Sequence, residues 1–162
     1  MPSVFLTSDT HIGHAGVCRF LRDDGVTKLR PWDNPEEMDE EMVKRWNETV
    51  KPNDKVYHLG DVVINRKALN LLYRLNGDKV LIRGNHDIFR DEEYREHFRE
   101  LRAYHIMNGM ILSHIPIHTE SLGRLFSPYR VCLNKADNGK YLVTVEQQFD
   151  SGSTKVIQRE IV

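Results

Sequence analysis

A chain of 162 residues with 40% hydrophobic and 29% charged side chains has enough apolar content for one cored domain, which excludes a disordered or fibrous polymer. A net charge of -1 gives no signal for broad electrostatic binding to nucleic acid or to an anionic membrane. Cys18 and Cys132 form no CxxC pair, and no apolar run nears the roughly 20 residues that span a bilayer. The short Val4-Phe5-Leu6 run leads straight into polar Thr7-Ser8-Asp9, unlike a secretory leader. The expectation is a cytoplasmic protein with free thiols, folded as a single domain over residues 1–162.

In chain order, Val4-Phe5-Leu6 predicts a short buried strand. Asn34-Pro35-Glu36-Glu37 predicts a helix start, with Asn34 as cap, Pro35 in the first turn and Glu37 at the capping-box position. Met38, Met42, Trp46 and Val50 then make one apolar stripe, closed by Pro52-Asn53. Val56-Tyr57-His58-Leu59 predicts a second strand, Ala68 to Leu75 a helix ended by Gly77, and Val80-Leu81-Ile82 a third strand. Asp91 to Phe98 predicts a helix. Asn108-Gly109 predicts a hairpin turn before a strand over Met110 to Ser113, and Asn138-Gly139 a second one joining strands near Val131 and Tyr141 to Val145. Strand and helix alternate early and strands dominate late, so the class is α/β with an antiparallel later half.

The chemistry-bearing residues fall at strand ends. Asp9 and His11 follow the first strand, Asp61 the second, Asn85, His86 and Asp87 the third, and His114 the run Ile111-Leu112. Ligands of α/β sheets bind at the carboxyl ends of strands, so these segments are expected to converge. A phosphate ester is anionic and resists hydroxide. Two divalent ions held roughly 3.5–4 Å apart activate a hydroxide and neutralise phosphoryl oxygens. Asp61 is suited to bridge the two ions, His11 and His114 favour Mn, Fe or Zn over Mg, and Asn85 offers a neutral oxygen. His86 is placed to protonate a leaving oxygen or hold phosphate. His14, just past the first loop, is open to two readings, a substrate contact or a solvent-facing residue.

Asp9-Thr10-His11, Gly60-Asp61, Gly84-Asn85-His86-Asp87 and Ser113-His114 resemble the ordered D-x-H, GD, GNHD and H motifs of the calcineurin-like metallophosphoesterases. Ser8 to His14 and Tyr57 to Asp61 look most like a small bacterial and phage branch. The resemblance runs from about Val4 to about Gly123. It implies a four-layer fold of two packed mixed sheets flanked by helices. It also implies that Asp9 and His11 bind a first metal, that Asp61 bridges, and that Asn85 and His114 bind a second. His86 would then be general acid or phosphate contact, oriented by Asp87. The implied activity is hydrolysis of a phosphodiester or nucleotide-like ester.

The family normally closes its motif series with G-H-x-H. This chain has none, and no histidine follows His118. Cys132 and Asn134, at the missing spacing, are one set of substitutes; His118 is another; water or a partner chain is a third. The gap also supports a second reading, in which the fold survives as a catalytically weakened or inactive binding module.

Overall fold

The computed structural model describes residues 2–108, 110–117, 129–135, 141–148 and 154–161. The chain divides into two compact units, Met1–Ala103 and Tyr104–Val162.

The first unit is built on a parallel sheet of β1 (Val4–Thr7), β2 (Lys55–His58), β3 (Asp78–Ile82) and β4 (Glu100–Arg102), in that spatial order. β2 and β3 are central and almost wholly buried, so their runs are apolar rather than alternating. β1 departs from the expected buried strand. It lies at the sheet edge, with Val4 52% and Leu6 44% exposed and Phe5 and Thr7 partly covered. β4 is a three-residue Glu-Leu-Arg strand too short to leave a periodic signal.

Helix α1 (Pro35–Thr49) starts as its sequence dictates. The Asn34 side chain accepts from the Glu37 amide at 2.8 Å, and Pro35 opens the first turn. Met38, Val43 and the capping Val50 are buried, while Met42 and Trp46 pack partly buried against the core clusters. The Trp46 indole donates to the Asn76 carbonyl at 2.9 Å, tying α1 to the turn before β3.

The predicted helix over Ala68 to Leu75 is instead a 3₁₀ segment, Arg66–Arg74. The reason is visible in the spacing. Leu69, Leu72 and Leu75 recur every three residues, matching three residues per turn, and all are buried. Helix α2 is shorter than expected, Asp91–Arg95, and a turn then buries Phe98. These elements close one core around Val62, Val63, Leu72, Leu81, Tyr94 and Phe98. Each Leu-sized side chain buried there contributes about 1.5–3 kcal/mol.

The second unit holds a five-stranded mixed sheet of β5 (His105–Met107), β6 (Met110–Leu112), β7 (Tyr129–Lys135), β8 (Tyr141–Gln148) and β9 (Thr154–Ile161). Met107 pairs with Met110, so β5 and β6 are joined by two residues as the Asn-Gly signal requires. Asn108 has a φ of 50°. The β6–β7 pairing is parallel and the other three are antiparallel. β9 leaves no strand signal in the sequence, because charged residues interrupt its alternation. The Asn138-Gly139 turn and His118 lie outside the described residues.

Candidate metal centre

Register brings the first three motifs together. Thr7 pairs with His58, and His58 with Leu81, so β1, β2 and β3 end level and their loops leave side by side. Neighbouring strands are about 4.8 Å apart, close enough for short side chains to meet. The β1 and β2 loops then zip together beyond the strands. The Asp9 amide donates to Gly60 O, that of His11 to Asp61 O, and that of Ile12 to Val62 O, all at 2.9–3.0 Å.

This zipper forces unusual backbone on the motif residues. Asp9, His11 and Asp61 have φ of 54°, 50° and 58°, the left-handed region that non-glycine residues avoid at a cost of roughly 1–2 kcal/mol each. Their side chains are turned toward one another as a result. His11 Nε2 lies 3.6 Å from an Asp9 carboxylate oxygen and 3.9 Å from Asp61 Oδ2, and the Asp9 and Asp61 carboxylates approach within 4.8 Å. Separations of 3.6 and 3.9 Å are too long for hydrogen bonds. They lie inside the roughly 4 Å that two donors can span on one cation with bonds of about 2.0–2.2 Å. Two carboxylates and an imidazole suit Mn, Fe or Zn, so the residues fit a divalent metal.

The β3 loop supplies the next layer. Asp61 Oδ1 accepts from the His86 amide at 2.9 Å, and Asp61 Oδ2 lies 2.7 Å from His86 Nδ1. That hydrogen bond, and the Asp61 charge behind it, raise the His86 pKa, although the ring is 57% exposed. The exposed Asn85 amide nitrogen sits 3.2 Å from the same ring nitrogen.

Asp87 is spent elsewhere than on the His86 ring. Its carboxylate is buried and accepts from the amides of Asp61, Val62 and Gly84 at 2.7–2.9 Å. It fastens the β2 loop to the β3 loop, while Asp61 takes the place beside His86 that the resemblance gave to Asp87. Gly84 is required by close approach, since a Cβ there would lie 2.2 Å from Asp61 Oδ1. Arg83 donates to the carbonyls of Asp87 and Phe89, bracing this loop from its own chain.

Two supports lie outside the motifs themselves. The Arg30 guanidinium donates to the carbonyls of Asp9 at 2.6 Å and Thr10 at 2.8 Å, and lies against the sulfurs of Met38 and Met42. An arginine twenty residues from the motif carries no local signal of that contact. Arg30→Ala should cost about 2–3 kcal/mol in denaturant unfolding and weaken Mn binding at least about 10-fold. Arg30→Lys should restore only part of either, because an ammonium lacks the planar fork that reaches both carbonyls.

The second support is His58, fully buried at the end of β2. Thr10 Oγ1 donates to Val62 O at 2.8 Å, so its lone pairs receive His58 Nε2–H at 2.9 Å. The ring therefore carries a proton on Nε2. Burial pulls its pKa down to about 4, against the opposing pull of Asp87, Asp9 and Asp61. Burial wins because no carboxylate bonds to the ring directly. A histidine with a depressed pKa binds its proton in the unfolded chain first. This contribution to stability is therefore complete above about pH 6.5 and is lost as pH falls toward 4, about 3 kcal/mol in all. Denaturant melts at pH 7 and pH 4.5 should show that loss, and His58→Gln should remove most of it. An unchanged pH slope in the variant would refute the assignment.

His114 lies in the second unit, two residues beyond β6 and partly buried. Cys132 and Asn134 lie on β7, opposite Thr144 and Leu142 of β8.

Comparison with known proteins agrees with this geometry. A family model described as calcineurin-like phosphoesterase matches residues 2–152. The uncharacterized protein MJ1445 of Methanocaldococcus jannaschii is 41% identical over 99 residues, 59% of this chain and 52% of that protein. The Gene 66 protein of Mycobacterium phage D29 is 38% identical over 92 residues, 54% of this chain and 41% of that protein. The chain thus spans about half the length of the curated relatives it matches. A crystal structure of the protein of unknown function AQ665 from Aquifex aeolicus superposes with a TM-score of 0.55 at 27% identity, covering 77% of this chain and 67% of that one. With its parallel four-stranded sheet, second sheet and helices, the chain belongs to the calcineurin-like phosphoesterase family, whose chemistry is metal-dependent hydrolysis of phosphate esters.

Proposed function

We propose that this chain is a phosphohydrolase acting on a phosphodiester or nucleotide-like ester, with Asp9, His11, Asp61 and Asn85 as ligands of a dinuclear centre. The observation that carries the reading is the approach of Asp9, His11 and Asp61 to separations that suit a shared cation and not a hydrogen bond. Divalent ions of the Mn, Fe or Zn type supply Lewis acidity there, toward a phosphoryl oxygen and toward water. The protein's own part is positional. The zipped β1 and β2 loops fix the donors before substrate arrives. Asp61 anchors the His86 ring through Nδ1, leaving Nε2 to donate to a phosphoryl oxygen or protonate the departing alkoxide. The cellular setting proposed is the cytoplasm; among the described residues no helix is long and apolar enough to cross a membrane.

Hydrolysis of bis(p-nitrophenyl) phosphate by the metal-stripped protein, reloaded with Mn, tests the reading. Turnover should appear with Mn and fall on the order of 100-fold in His86→Ala. Folded protein that stays inert across Mn, Fe and Zn would refute it. A second reading is a binding module of the same fold with a weakened centre. Stoichiometric metal by elemental analysis separates the two, because a degenerate site would not retain it.

A further inference from the structure

The segment after the D-x-H loop carries a feature that the metal chemistry does not use. His14 folds back over its own turn, with its amide bonded to His11 O at 3.1 Å. Gly16 makes room for it, since a Cβ there would lie 2.8 Å from His14 Nε2. The His14 ring centroid is 5.7 Å from that of His11, and the Phe20 ring is 6.0 Å further on, edge-to-face with His14. His11 is in turn 5.7 Å from His86. Four rings therefore run in contact from the metal loops outward, ending on a phenylalanine that is 50% exposed.

Phe20 is held in that exposed position. Val17 and Cys18 beside it are buried against Met38, so the turn is anchored from below. Phe20 then opens a small hairpin. Its carbonyl accepts from Leu29 N at 2.7 Å, Leu21 bridges Lys28, and the Thr27 carbonyl accepts from Arg22 N at 2.7 Å. Asp24 accepts from the amides of Val26 and Thr27, and Gly25 takes a φ of 67° at the tip. An aromatic ring fixed in the open beside an anion-handling site is organised for a ligand with a π face.

We propose that Phe20, together with His14, is the specificity face of the site and receives a planar group esterified to the phosphate, a nucleobase or an aryl ring. The inference rests on the phosphohydrolase reading for where the phosphoryl group sits. The phosphoryl group lies against the carboxylates and His86, and the organic part continues over His14 and stacks on Phe20. Stacking of this kind tolerates any base, so the face selects planar over aliphatic esters rather than one base over another.

The test measures binding to Mn-loaded protein by calorimetry, using phenyl phosphate, adenosine 5′-monophosphate and methyl phosphate, and KM and kcat for the phenyl and methyl monoesters. In the wild type both planar ligands should bind more tightly than methyl phosphate. Phe20→Ala should reduce the phenyl-to-methyl affinity ratio about 10-fold and Phe20→Trp should restore it. Gly16→Ala, which displaces the His14 ring, should reduce the same ratio. The phenyl ester should lose through KM rather than kcat. Mn affinity measured on the same samples reports that the metal loops are intact. A ratio unchanged in Phe20→Ala, equal losses on phenyl and methyl ligands, or a wild type without preference for planar ligands would each overturn the proposal. A protein that binds these ligands with the expected ratios but turns over neither them nor bis(p-nitrophenyl) phosphate refutes the phosphohydrolase reading and leaves the recognition face standing.

Discussion

Replacing Asp61 with asparagine should lower turnover on the order of 1,000-fold and weaken Mn binding at least about 100-fold, while leaving the fold intact. The two oxygens of Asp61 have different duties. Oδ1 accepts from the His86 backbone amide, and asparagine keeps that bond. Oδ2 faces His86 Nδ1 at 2.7 Å and His11 Nε2 at 3.9 Å, where an amide NH₂ would present hydrogens to two imidazoles and no charge to a cation. Removing one negative charge from beside Asp9 also relieves repulsion in the metal-free protein. The variant should therefore unfold no earlier than the wild type, within about 1 kcal/mol. Gly84→Ala is the geometric counterpart. A Cβ at residue 84 would lie 2.6 Å from the Asp61 backbone nitrogen as well as 2.2 Å from Oδ1, so the carboxylate must move with its charge unchanged. Both variants should lose Mn in titration calorimetry. Wild-type Mn affinity in Asp61→Asn would contradict the assignment of Asp61 as a ligand.

Asp87→Ala should be the most destabilising single substitution at the site, by about 3–5 kcal/mol. One buried carboxylate serves three backbone donors, from Asp61, Val62 and Gly84. Alanine leaves all three amides without that acceptor. Each unsatisfied amide costs about 1–3 kcal/mol, and water entering the partly open loop recovers some of the total. For a chain of this size the melting temperature should drop by about 10 °C. Asp87→Asn retains one carbonyl acceptor and should cost roughly half as much. A loss under about 1 kcal/mol in Asp87→Ala would mean that the loops are held by other contacts. The contrast with Asp61 is informative: one aspartate in the motif pair carries chemistry with little stability cost on removal, while the other carries the loop.

Much of this was legible because the signals were local. Strand runs at Val56–Leu59 and Val80–Ile82 end in polar motif residues, and the Asn34-Pro35 helix start is written within four positions. The convergence of Asp9, His11, Asp61 and His86 followed from placing each at the end of a strand in one sheet. What the sequence did not show was long-range. Arg30 and His58 act through partners twenty and forty-eight residues away, with no periodicity to mark them. Asp87 is a familiar motif residue, yet only the geometry reveals that its oxygens go to amides. The 3₁₀ form of Arg66–Arg74 is written in its three-residue leucine spacing, which lies close enough to the 3.6-residue period to resemble an α-helix. The short β4 and the charge-interrupted β9 lacked alternation altogether.

The left-handed backbone at residues 9, 11 and 61 has an evolutionary consequence. Glycine adopts that conformation with less steric penalty than any other residue, so at each of these positions it would relax the chain. Selection for heat resistance alone would thus drift toward glycine there and erase the donors one by one. Aspartate and histidine at these three positions carry that steric cost, and what the fold receives in return is the convergence of their side chains.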